Sequence, residues 1–149
     1  MRVTMIGAGY VGLVSGACFA DFGHQVTCID KDEAKVKALT RGEIPIFEAG
    51  LAELVEANVR QGRLVFAGDT SRIGDAEAVF IAVGTPSRRG DGHADLTYVY
   101  EAVREIAPLL SDTAVVVTKS TVPVGTGDEI ERILCELRPG VDLLSLIHI

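Results

Sequence analysis

A chain of 149 residues, 48% hydrophobic and 23% charged, is long enough for one soluble domain with its own core. A formal charge of −7 argues against nucleic acid or anionic membrane as a partner, because both are polyanions. The chain reads into a strand from Met1-Arg2, so no leader is expected, and no apolar run approaches the roughly 20 residues of a membrane span.

Aromatics are only 5% and tryptophan is absent, so small and branched aliphatics must fill the core, as suits a parallel sheet covered by helices. The cysteines, Cys18, Cys28 and Cys135, are odd in number and form no CxxC pair. They read as reduced thiols of a cytoplasmic protein, acting as small apolar fillers.

Strand and helix periods alternate along the chain. Residues 2–6 predict a first strand, 10–22 a helix closed at Gly23, and 25–29 a second strand. Residues 32–41 predict a helix stopped by Gly42, 43–50 a loop, 51–60 a short helix and 64–66 a third strand. Residues 70–76 are too short to assign. The continuous apolar run 78–83 reads as a strand buried on both faces. Residues 84–96, with Gly84, Pro86, Gly90 and Gly92, predict a long mobile loop. A helix over 97–110 presents Val99, Val103, Ile106, Ala107 and Leu110 on one face. A fifth strand over 113–118 and a helix over 126–138 with the stripe Ile130, Ile133, Leu134 and Leu137 complete the pattern. The fold class is α/β, a doubly wound parallel sheet of about six strands.

Gly7-Ala8-Gly9-Tyr10-Val11-Gly12 fits GxGxxG. The motif is weak alone, but here a strand precedes it, a helix follows, and a second strand ends in an acid. Gly7 would permit the tight turn, Gly9 the approach of a pyrophosphate to the backbone, and Gly12 close packing of helix on strand. Asp30, 18 residues after Gly12, is placed to accept from the adenosine ribose hydroxyls. Its carboxylate disfavours a 2′-phosphate, since like charges about 4 Å apart repel by roughly 4 kcal/mol at an effective dielectric near 20. Lys31 beside it weakens that repulsion without replacing the carboxylate. NAD is therefore expected over NADP. Lys35 is either a solvated surface lysine or a charge reaching toward the adenosine end.

Two further segments follow strands at the carboxyl edge, where open α/β sheets bind ligands. Gly84-Thr85-Pro86 forces an abrupt turn with a hydroxyl, and 119–126 carries Ser120 and Thr121. These hydroxyls serve turn and cap chemistry or face the ribose and nicotinamide. His24, His93 and His148 make no ligand constellation, so no metal site is expected.

Together these segments resemble the UDP-glucose 6-dehydrogenase family. The matching stretches are 5–13, 23–26, Ile29-Asp30, 42–48 with Gly50-Leu51, 82–86, Asp95-Leu96 and 119–125, so the resemblance runs from Met1 to about Val141. It implies oxidation of a nucleotide sugar's C6 alcohol to a carboxylate with two NAD, UDP-glucose to UDP-glucuronate for polysaccharide synthesis. It places Val11, Asp30, Lys35, Thr85 and Thr121 at the NAD, with Gly84 beside them. Tyr10, in the glycine turn, is placed at the cofactor and the border of the substrate. Thr121 resembles the family threonine that positions water near the reacting centre and is the only candidate here for a chemical role. The resemblance also implies a homo-oligomer for the full-length protein.

The sequence departs from the family pattern at Ala49, where a proline is usual, and after residue 142, where an Asn-Pro-Glu segment is usual. Residues 1–142 are expected to form the NAD-binding domain. Residues 143–149 read as a terminal strand or, preferably, as a foreign tail from a truncated or shifted reading frame. The family's nucleophilic cysteine, catalytic lysine, central helix and sugar-binding domain would all lie further on, and none of the three cysteines here matches that nucleophile. The expectation is an amino-terminal part that binds NAD weakly and does not turn over. The competing readings are a dehydrogenase of GDP-mannose or a UDP-N-acetyl sugar, and a standalone NAD-sensing module.

Overall fold

The computed structural model describes residues 1–88, 90 and 92–141, together with the backbone of 144–147. Six strands, β1 (Arg2–Ile6), β2 (Gln25–Ile29), β3 (Leu64–Ala67), β4 (Ala78–Ile81), β5 (Val115–Thr118) and β6 (Leu144–Ile147), form one sheet in the order β3-β2-β1-β4-β5-β6. All five strand pairings within this sheet are parallel. Among the described residues, five α-helices connect them: α1 (Tyr10–Asp21), α2 (Glu33–Thr40), α3 (Leu51–Arg60), α4 (Thr97–Ile106) and α5 (Thr126–Leu137).

The strand order is that of a doubly wound nucleotide-binding fold, and its direction reverses between β1 and β4. One face buries Met5, Val26 and Cys28 under α1 and α3, with Leu13, Ala17 and Val55 from the helices. The opposite face buries Val79, Ile81 and Val116 against Val99, Val103 and Ile106 of α4 and Ile130 and Leu134 of α5. Between β3 and β4 the chain makes only a 3-10 turn, Ile73–Asp75. A cleft lies at the carboxyl ends of β1, β2 and β4.

Several boundaries differ from the sequence pattern for physical reasons. α4 ends at Ile106, and Ala107–Leu109 tighten into a 3-10 turn, because Pro108 has no N–H for the next α-helical bond. β4 ends at Ile81, whose carbonyl accepts from both Lys119 and Ser120 N–H as the two strands part. Leu137, read as part of the α5 stripe, is exposed as the last residue of that helix. The 84–96 segment, read as a mobile loop, is pinned at its base by a Ser87–Ala94 bridge and an Asp95 N–H···O=C Pro86 bond of 2.8 Å. Residues 89 and 91 lie outside the described residues, as do 142, 143, 148 and 149 of the terminal segment.

Candidate functional site

The glycine turn is built from three different needs. Gly7 has φ +101°, and a Cβ there would sit 2.6 Å from the Ala82 carbonyl oxygen. Gly12 faces inward, where a Cβ would overlap the Gly7 carbonyl oxygen and lie 3.3 Å from Ala82 Cβ. It therefore lets the helix start close on the turn itself. The close approach of α1 to the strands, expected at Gly12, is made one helical turn later at Gly16, where a Cβ would lie 2.7 Å from Cys28 Sγ. Gly9 has ordinary extended backbone and no protein atom within 4 Å of a Cβ, because it borders the cleft. It is also the N-cap of α1, so no cap side chain competes for the first-turn N–H groups.

Asp30 fastens this turn to the end of β2. Its Oδ2 accepts from Ala8 N–H at 2.9 Å and from Lys35 Nζ at 2.8 Å, and its Oδ1 accepts from Asp32 N–H at 3.0 Å. Partial burial pushes the carboxyl up, but the Lys35 ammonium and the two amides outweigh it and hold Asp30 below the usual carboxylate range. The pair is well sheltered, with 13% of the Asp30 and 30% of the Lys35 side chain exposed. Lys35 is thus an ion-paired residue of the site's rim rather than a freely solvated lysine.

Gly7, Gly9, Asp30, Lys35 and Gly84 all border one cleft of about 530 Å³. That lies within the roughly 300–1,000 Å³ usual for small-molecule sites. Its floor is apolar, from Ile6, Ile29 and Val83, and its rim is charged. Tyr10 and Val11 are exposed at the start of α1 and do not border the cleft. The Tyr10 hydroxyl donates to Glu48 of the 43–50 loop, and that carboxylate raises the phenol's pKa. Thr85 and Thr121 meet at the neighbouring strand ends, where the Thr85 hydroxyl donates to the Thr121 carbonyl at 3.0 Å. They too lie outside the cleft lining.

Ser120, whose hydroxyl was open to either turn chemistry or the cofactor, is buried and donates to the Val83 carbonyl at 2.7 Å, tying the β5 turn to the β4 turn. Sequence reasoning missed several contributors. Gly68 and Thr70 close the β3 side of the cleft, and Tyr98, Glu101 and Glu105 of α4 close the far side. The α4 residues did carry a signal, since spacings of three and four put them on a single helical stripe beside the core stripe. Lys31 reaches across to Glu105 at 2.7 Å. Among the described residues, no group of three His, Cys, Asp or Glu is placed to hold a metal ion, and no helix is long and apolar enough to cross a membrane.

A glycine turn opening a helix, an acid ending the second strand, and a cleft at the point where strand order reverses define a Rossmann dinucleotide-binding domain. The sequence model of the UDP-glucose/GDP-mannose dehydrogenase family, NAD binding domain, matches residues 1–143, and the chain belongs to that family. UDP-glucose 6-dehydrogenase of Rhizobium meliloti is 66% identical over 96% of this chain, which spans 33% of that protein. Among solved structures, a UDP-D-ManNAc dehydrogenase from Pyrococcus horikoshii superposes with a TM-score of 0.92 at 28% identity, covering 100% of this chain and 36% of its own. A UDP-glucose dehydrogenase from Pyrobaculum islandicum gives 0.87 at 36% identity, covering 98% of this chain and 34% of its own. The chain thus spans about a third of the length of the relatives it matches.

Proposed function

We propose that this chain is the NAD-binding part of an enzyme that oxidises UDP-glucose to UDP-glucuronate, with the sugar chemistry carried by regions beyond those it spans. The observation that supports the cofactor role best is Asp30, held ionised at the cleft rim and bonded to the glycine turn. A carboxylate has about four acceptor sites. Three are used, which leaves one on Oδ1 for a ribose hydroxyl.

In this reading Gly7, Gly9 and Gly12 shape the diphosphate seat at the start of α1, whose free N–H groups and positive dipole end favour an anion. Asp30 and Lys35 hold the adenosine ribose, and Tyr10 and Val11 flank the diphosphate. Gly84, Thr85 and Thr121 border the nicotinamide half, and Thr121 positions water at the reacting centre. When bound, NAD supplies the hydride acceptor for oxidation of the sugar alcohol. The high identity to the Rhizobium meliloti enzyme supports UDP-glucose over GDP-mannose or a UDP-N-acetyl sugar. The whole protein is proposed to be a cytoplasmic homo-oligomer.

The test is expression of the complete reading frame containing residues 1–142, followed by assay with NAD and each nucleotide sugar. UDP-glucose should yield two NADH per sugar, while the 149 residues alone should bind NAD without turnover. Oxidation of GDP-mannose or a UDP-N-acetyl sugar in preference to UDP-glucose would overturn the substrate assignment. Steady NADH production by the 149 residues would overturn the division of labour.

A further inference from the structure

The cleft carries two lysines beside the position assigned to the adenosine ribose, and both are already engaged. Lys35 is bound by Asp30 at 2.8 Å. Lys31 directly follows Asp30, so it is the cation of this chain best placed to receive a phosphate on the adjoining ribose oxygen. In dinucleotide folds that accept NADP, a nearby cation takes this part. Here Lys31 Nζ instead meets Glu105 Oε2 of α4 at 2.7 Å, although the two residues are 74 positions apart. Glu105 and Glu101 lie on the same stripe of α4, and both border the cleft.

We propose that Glu105 is a cofactor-specificity residue, engaging Lys31 and adding negative charge to the rim so that the cleft rejects a 2′-phosphorylated dinucleotide. The proposal rests on the dinucleotide reading above and extends it beyond Asp30. Asp30 supplies the repulsion from one side of the cleft. Glu105 engages, from the other side, the lysine that Asp30 leaves unbound, a counter-charge that would otherwise help to offset that repulsion.

The ion pair is solvent-accessible, with 74% of the Lys31 and 38% of the Glu105 side chain exposed, so its effect is moderate. Calorimetric titration of the 149-residue chain with NAD and with NADP, the latter by competition where weak, gives the ratio of their dissociation constants. In Glu105→Gln that ratio, NADP over NAD, should fall about two- to fivefold, the size expected from one exposed charge. In a Lys31→Gln background the same substitution should recover less than half of that gain, because the freed lysine is its route. Glu105→Ala repeats the measurement with a different side chain, and thermal melts establish that each variant is folded. An unchanged ratio in folded Glu105 variants overturns the proposal while leaving NAD binding intact. An equal gain with and without Lys31 overturns the role of the ion pair. Failure of the folded parent to bind NAD overturns this proposal and the cofactor reading together.

Discussion

Two of the three motif glycines should fail in opposite ways when alanine replaces them. At Gly12 the added Cβ overlaps the Gly7 carbonyl oxygen, lies 3.0 Å from its carbon and presses on Ala82. Two of these atoms are backbone, so no rotamer change relieves the clash. Overpacking typically costs about 1–3 kcal/mol, and a backbone obstacle puts Gly12→Ala at the top of that range or beyond. Alanine's better helix propensity returns about 1 kcal/mol. A net loss of about 2–3 kcal/mol should lower the urea midpoint by about 1–1.5 M at a slope near 2 kcal/mol/M. Gly9→Ala meets no protein atom within 4 Å and needs only φ −77°, ψ −168°. Its stability should change by less than about 1 kcal/mol, since loss of unfolded-state freedom offsets the poorer N-cap. In the proposed cofactor reading its Cβ stands in the path of the diphosphate, so NAD affinity should fall at least about tenfold. Urea unfolding and calorimetry on both variants decide the matter. A Gly12→Ala midpoint equal to the parent's, or undiminished NAD affinity in Gly9→Ala, would refute the reasoning.

Three other outcomes follow from named contacts. Asp30 has a folded pKa below its unfolded value, so it adds stability above about pH 4 that is lost as pH falls through the folded pKa. Asp30→Asn should cost about 1–2 kcal/mol at pH 7 and flatten the acid limb of stability against pH; a limb as steep as the parent's would remove Asp30 from that account. Gly16→Ala should cost about 1–3 kcal/mol through Cys28 Sγ and recover much of it in a Cys28→Ala background, whereas strict additivity in unfolding experiments would show that the two do not press on each other. Burial pushes the Cys28 thiol up to about 12, so thiol titration of the native protein should find exposed Cys135 fast and Cys28 silent until unfolding; rapid native labelling of Cys28 would contradict its burial.

The sheet was legible because its information is local and periodic. The runs 2–6, 25–29 and 78–83 and the stripe Val99-Val103-Ile106 state their own burial, and the acid after β2 made a weak glycine motif a candidate cofactor site. Helix ends were less legible, as Pro108 shows by converting the last turn of α4 rather than simply stopping it. The cleft's far wall was not legible. Lys31–Glu105, Tyr10–Glu48 and Ser120–Val83 join exposed or turn residues far apart in sequence, and no hydrophobic period marks such pairs. The same limit made Gly12 look like the helix–strand contact. Only the fold shows that Gly16 lies against Cys28 while Gly12 lies against Gly7.

Whether the glycine turn and Asp30 hold a dinucleotide is decided by calorimetric titration of NAD into the folded 149-residue chain. Saturable binding at one site per chain is expected, weakened at least about tenfold by Asp30→Ala. A folded chain that takes up no NAD, or an Asp30→Ala variant that binds it as tightly as the parent, would contradict the assignment.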